Sequence, residues 1–188
     1  MRVTETDIAG VLMLEPRVWQ DSRGFFQETW NANEYRAAGV EIDFVQDNHS
    51  RSVRGVLRGL HLQARHPQGK LVRVSRGRVY DVVADVRAGS PTYGRWVGYE
   101  LSDENHRQLW IPPGLAHGFC TLSDYADFQY KCTDYYHPED AVGIRWDCPT
   151  LGIDWPVDDP ILSDADTRWP GLEAFAGVGT EAKGSNGS

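Results

Sequence analysis

The chain has 188 residues, enough for one domain with a buried core. Its 40% hydrophobic and 24% charged residues are ordinary for a soluble globular protein, and a formal net charge of −8 argues against nucleic acid or an anionic membrane as a general partner. Cys120, Cys132 and Cys148 are sparse and lack C-x-x-C spacing, which argues against a disulfide scaffold or a structural zinc site. The opening "MRVTETDIAGVLMLEP" has no signal-peptide apolar run and no stretch reaches transmembrane length, so a cytoplasmic protein is expected.

In chain order, the first clear element is helical. "NANEYRAAG" predicts a short helix with Asn31 as N-cap and Gly39 as the stop. From there the pattern turns to period two: "KLVRVSRG", "RVYDVVADVR", "WVGYELS", "RQLWIP" and "DFQYKCTDYY", broken by turn segments such as "RAGSPTYG" and "IPPGLAHG". This is the pattern of an all-β sandwich or barrel. No internal repeat or interdomain linker interrupts it, so residues 1–175 are read as a single domain. Residues 176–188, with "GVGTEAKGSNGS", are Gly/Ser-rich and are expected to form a flexible tail.

Two Gly-punctuated segments carry the chemistry. One runs from Gly55 through His61, Gln63 and Lys70 to Gly77; the other holds Pro112, Gly114 and His117. Both resemble the paired motifs of cupins, which lie on facing strands of a jelly-roll barrel. In metal-binding cupins they supply three histidines and a glutamate. Here Gln63 takes one histidine position and Lys70 takes the glutamate position. An ammonium repels a divalent ion, and two histidines fall below the usual ligand count, so no metal is expected. A lysine in a barrel mouth can instead hold an enolate oxygen or a phosphate, and a histidine can take a proton near neutral pH. Phe128, Tyr130 and Cys132 share one strand face, with Tyr136 on the same parity, so Tyr130 and Tyr136 become candidates for proton donation or substrate contact. "LSDADTRWP" offers a carboxylate to orient the histidine. Asp81 and Asp85 share a face, and Asp81 is a candidate supporting residue. Arg58 would be costly to bury without an anionic partner, which favours a role in binding.

A wider set of motifs, "DSRGFFQE", "QDNHS", "GVLRGLHLQ", "QGKLVRVSRGRVYDVVADVR", "SPTYGRW", "QLWIPPGLAHGF", "YKCTDYYHP", "GIRWDCP" and "LSDAD", resembles in order and spacing the dTDP-4-dehydrorhamnose 3,5-epimerases from about Gly10 to Leu172. The resemblance implies a cupin-type jelly-roll homodimer that epimerises a dTDP-4-keto-6-deoxyhexose at C3 and C5 without metal or organic cofactor. It implies His61 as base, Asp166 as the aspartate that orients it, Tyr130 as proton donor and Lys70 as oxyanion stabiliser. It places Arg58 and His117 at substrate, and Arg23, Glu28, Gln46, Asp47 and Asn48 near the nucleotide, with the arm that carries Arg23 completing a neighbour's site. Asp164 competes with Asp166 as a turn cap, and motif alignment favours Asp166. The chain departs from the family pattern at Leu62, Ala141 and Ala165, where an aromatic, a glutamate and a basic residue are common. These departures bear on sugar or nucleotide preference and leave the base, acid and lysine positions intact. Competing readings are a 3-epimerase or 5-epimerase of a modified deoxysugar pathway, a metal-dependent cupin, and a non-catalytic sugar-nucleotide-binding cupin.

Overall fold

A computed structural model describes residues 1–175 of the chain, so the expected tail at 176–188 lies outside the described residues. The chain opens with β1 (Arg2–Glu5) and β2 (Leu12–Glu15), then forms a two-stranded hairpin of β3 (Val18–Asp21) and β4 (Gly24–Gln27). Helix α1 (Ala32–Ala37) follows, capped as expected: the Asn31 side chain accepts from the backbone N–H groups of Asn33 and Glu34. The remaining strands are β5 (Gln46–Val53), β6 (Leu57–Gln63), β7 (Lys70–Arg76), β8 (Arg78–Asp85), β9 (Trp96–Ser102), β10 (Gln108–Ile111), β11 (Leu115–Thr121), β12 (Tyr125–Cys132) and β13 (Ala141–Gly143).

They build two antiparallel sheets in the order β1-β2-β10-β7-β12-β5 and β13-β6-β11-β8-β9, packed face to face as a cupin-type jelly roll. Between the sheets lie Val72, Val74, Leu109, Ile111 and Phe128 from one side and Val79, Val83, Val97, Leu101 and Phe119 from the other. The outer face of the second sheet is also apolar, through Leu57, Leu60, Val82, Ala84, Ala116 and Cys120. The C-terminal segment covers it with Ile144, Cys148, Leu151, Trp155, Leu172 and Phe175. Burial on both faces explains why β8, read from the sequence as period two, is buried at almost every position, Asp81 and Asp85 included. Tyr35 and Val40 cover Leu14, Leu71 and Trp110 on the outside of the first sheet.

The pairing of β6 with β11 is irregular. On β11, His117 pairs with His61 and Phe119 with Arg58, so two steps along β11 match three along β6. The extra residue is a β-bulge at Gly59 and Leu60, and it turns Arg58 and His61 to the same side. Gly59 has φ of +127°, and a Cβ there would sit 2.5 Å from the Gly118 Cα. Only glycine fits both the dihedral and the contact. Gly59→Ala is therefore expected to cost roughly 3 kcal/mol from backbone strain and overpacking. A urea unfolding midpoint unchanged from wild type would contradict this account of the bulge.

Candidate active site

The mouth of the barrel is a cleft with two lobes. Inward-facing positions supply Arg58 and His61 from β6, Lys70 from β7, His117 from β11 and Tyr130 from β12. With Ser163 and Asp166 from the C-terminal segment, they line a lobe of about 380 Å³. The second lobe, of about 390 Å³, is lined by Gln46, Asn48, Gln63, Tyr136, Ala141 and Trp169 among others. His61, Lys70, Tyr130 and Ser163 border both lobes, so these four stand where the lobes meet.

His61 is partly exposed to the cleft, and its Nε2 lies 2.5 Å from Asp166 Oδ1. Asp166 is buried, and its other oxygen accepts from the Ser163 hydroxyl at 2.7 Å. Burial alone would raise the Asp166 carboxyl, but hydrogen bonds from His61, Ser163 and the Gly59 backbone hold it below the usual range. A carboxylate fixed on Nε2 makes that nitrogen the protonated one and leaves Nδ1 as the basic atom. A second His–Asp pair lies deeper: His117 Nε2 is 2.9 Å from Asp81 Oδ2, and both residues are buried. Burial raises the Asp81 carboxyl, offset in part by His117 and Lys70. Asp85, on the same face as Asp81, is taken up by Arg87, Ser90 and Thr92 and has a structural role.

Lys70 has no carboxylate within ion-pair distance among the described residues, because the nearby Asp81 is taken by His117. Burial lowers its pKa, with Cys132 and Asp81 acting in the opposite direction. Tyr130 packs against the core beside Phe128, and burial raises its phenol above the ordinary 10.0. Among the described residues, no three His, Cys, Asp or Glu side chains converge as a metal-binding group.

Gln63 and Asp140 brace the rim. The Gln63 amide donates to the carbonyls of His66 and Tyr135 and accepts from the His137 N–H. Buried Asp140 accepts from the backbone N–H groups of Arg65 and His66 and from the Arg65 side chain. Together they tie the β6–β7 loop to the segment that carries Tyr136, and the His66 and His137 rings stack at 4.3 Å over the junction.

The structure thus brings together His61, Asp166, Lys70, Tyr130, His117, Arg58, Gln46, Asn48 and Tyr136. Asp47 does not join them: strand alternation turns it to the opposite face, where it pairs with Lys131 at 2.8 Å. Arg23 and Glu28 also lie outside this chain's cleft, Arg23 on the β3–β4 hairpin paired with Asp21 and Glu28 beside Asn31. Arg58 reaches the cleft without being buried, so a cost of burial is not what assigns it to binding. It is exposed, its Nε donates to Ser52, and its guanidinium has no acidic partner among the described residues. Sequence reasoning missed Ser163, Gln63 and Asp140 as supports. Ser163 was within reach, since it stands three residues before Asp166 in "LSDAD", a spacing suited to a side chain that returns to cap its own turn.

Comparison with known proteins is consistent with this geometry. The family model described as dTDP-4-dehydrorhamnose 3,5-epimerase matches residues 5–174. A protein of that name from Methanothermobacter thermautotrophicus is 54% identical over 91% of this chain and 94% of its own. Another, from Pseudomonas aeruginosa, is 56% identical over 89% of this chain and 94% of its own. A crystal structure of dTDP-6-deoxy-D-glucose-3,5-epimerase from Legionella pneumophila, in complex with dTDP-4-keto-L-rhamnose, is similar at a TM-score of 0.89 and 51% identity. It spans 92% of this chain and 93% of that one.

The rim brace has a pH signature. Burial alone would raise the Asp140 carboxyl, but hydrogen bonds from Arg65 and His66 hold it at about 2, against an ordinary 3.8. The stability it contributes is therefore present above 3.8 and lost as pH falls towards 2. Asp140→Asn should lower stability by roughly 2 kcal/mol at neutral pH through its unmatched donors. It should also flatten the loss in acid, as read by urea unfolding at several pH values; an equally steep acid loss in the variant would exclude Asp140 as its source.

Proposed function

The chain belongs to the dTDP-4-dehydrorhamnose 3,5-epimerase family, and from that premise we propose how its cleft inverts C3 and C5 of a dTDP-4-keto-6-deoxyhexose. Both carbons flank the C4 ketone, so loss of either proton gives an enolate whose charge rests on the C4 oxygen. The protein is an isomerase, and each inversion removes one proton and returns one, leaving the oxidation level unchanged. No redox cofactor is needed for that balance.

His61 Nδ1 is the base. Asp166 on the other nitrogen keeps the ring in the tautomer that accepts at Nδ1 and stabilises the imidazolium once the proton arrives. Lys70 receives the developing oxyanion: it is a cation with no carboxylate partner among the described residues, in a site where its field is weakly screened. Tyr130 returns the proton from the opposite face, and its raised pKa keeps it protonated until an enolate demands the proton. The observation that carries this reading is the placement of base and acid. His61 stands on β6 of one sheet and Tyr130 on β12 of the other, and both border the junction of the lobes. A sugar seated between them meets a base on one face and an acid on the other.

Arg58, at the mouth without an acidic partner among the described residues, suits a diphosphate, and His117 contacts the sugar from the floor while Asp81 holds it. Gln46, Asn48 and Tyr136 hold the nucleotide end. Arg23 and Glu28 would serve a neighbouring copy. Their hairpin exposes Phe25 at 58% and Phe26 at 64%, more apolar surface than a free arm accounts for, and a homodimer would cover it. Cys120, Cys132 and Cys148 are unpaired and buried, which suits a reducing compartment such as the cytoplasm. No helix among the described residues is long and apolar enough to cross a membrane.

Proton NMR in D2O with dTDP-4-keto-6-deoxyglucose tests the reading. Exchange is expected at C3 and C5 in the wild type and at neither carbon in His61→Ala, with turnover down about 10²–10⁴-fold. Tyr130→Phe should retain exchange yet lose inversion. Exchange at a single carbon would make the protein a mono-epimerase, and no exchange would overturn the substrate. Activity should also decline on the alkaline side as Lys70 loses its proton, below the ordinary 10.5 because burial favours the neutral amine. In Lys70→Met that limb should vanish along with most of kcat.

A further inference from the structure

His61 has an unusual flank. Its partner across β13 is Gly143, which has no side chain, and its partner across β11 is His117. Asp166 grips one ring nitrogen, but a single hydrogen bond leaves the imidazole free to swing, because χ2 of histidine has broad wells. Something must fill the space above Gly143. The indole of Trp169 does: a Cβ on Gly143 would lie 2.7 Å from Trp169 Cδ2 and Cε2, so the ring rests on the glycine backbone. From that seat it meets the His61 ring edge-on, with centroids 6.2 Å apart and planes at 69°.

We propose that Trp169 is a positioning residue for the base, a wall that sets the tilt of the His61 imidazole and keeps water from its open flank. The proposal deepens the epimerase function and rests on it for its kinetic consequences. Trp169 directly follows the short 3-10 turn Asp166–Arg168, so one turn delivers both the carboxylate that fixes Nε2 and the indole that fixes the plane. The exit of that turn is anchored, since the Arg145 N–H donates to the Pro170 carbonyl at 2.8 Å just beyond β13. The indole N–H is buried without a partner among the described residues, and the ring is held by packing on Gly143. An aromatic face is what the position requires, and the indole nitrogen is dispensable.

The test compares Trp169→Phe with Trp169→Leu and uses a readout that needs no substrate. Long-range proton–nitrogen NMR of the imidazoles reports the tautomer and ring mobility of His61 directly. In the wild type and in Trp169→Phe, a single tautomer protonated on Nε2 is expected. In Trp169→Leu, mixed or broadened His61 signals are expected, with kcat down roughly tenfold and KM little changed, since a small misplacement of a catalytic group lowers rate more than binding. A Leu variant that stays folded, with His61 signals and kcat as in the wild type, would overturn the proposal. So would a Phe variant as impaired as the Leu variant. If the wild type failed to exchange sugar protons at all, the epimerase function would fall, while the NMR comparison would still decide whether Trp169 orders His61.

Discussion

Residues three apart on a regular strand face opposite ways, yet Arg58 and His61 both open onto the cleft. The bulge in β6 makes this possible, and the bulge exists because two backbones meet where neither carries a side chain, at Gly59 and Gly118. That contact lets one short strand present a cation at the mouth and the His61 imidazole at the junction of the lobes. Leu57, Leu60 and Leu62 still turn outward under the C-terminal cover. Without the extra residue, Arg58 or His61 would be driven into that apolar layer. The same cover continues into the turn that carries Asp166 and Trp169, so the packing that seals the outside of the sheet also holds Asp166 against His61.

The electrostatics of the cleft follow from how its charges are paired. The chain as a whole is acidic, at −8, yet the groups facing the cleft include Lys70 and Arg58 without carboxylate partners among the described residues. The two aspartates close enough to neutralise cations are committed elsewhere, Asp166 to His61 and Asp81 to His117. An anionic ligand therefore meets a locally positive site inside a negative protein, because the field in a cleft depends on nearby charges and poorly polarisable walls more than on net charge. Lys70 on β7 pairs with Cys132 on β12, two residues along from Tyr130, and both Lys70 and Tyr130 border the junction of the lobes. Burial lowers the pKa of the amine and raises that of the phenol, and the second effect suits Tyr130 to keep a proton until it is needed.

Strand alternation was readable in the sequence wherever one face is buried and the other is not. The parity that groups Phe128, Tyr130 and Cys132 holds in β12, and the Asn31 cap of α1 holds in detail. Motif order, more than any local rule, pointed to Asp166 as the partner of His61, since 105 residues separate them. What escaped the sequence had physical reasons. Asp47 lies between two cleft residues in the chain, but alternation turns it away from both. Gln63 stands where a ligand histidine would be expected in a cupin, and spends its amide on three backbone groups that only the folded loops bring near. Asp140 looked like one of many surface acids until the fold buried it under Arg65 and His66. Trp169 gave no signal at all, because its role depends on the absence of a side chain at Gly143, on a different strand.

The departures from the family pattern at Leu62, Ala141 and Ala165 look unrelated along the chain, and the fold gathers them. Ala141 and Ala165 line the second lobe alongside Val142 and Trp169, and Leu62 borders it from β6 while packing in the outer apolar cover. The opposite side of that lobe stays polar, with Gln46, Asn48 and Gln68. A small, apolar wall facing an amide-lined one selects by shape on one side and by hydrogen bonding on the other. The wall adjoins the histidine: Trp169 meets the His61 ring, and His61, Lys70 and Tyr130 border this lobe as well. The groups proposed to move protons and the wall that shapes the lobe thus meet at Trp169 and at the chain neighbours Ala165–Asp166 and His61–Leu62.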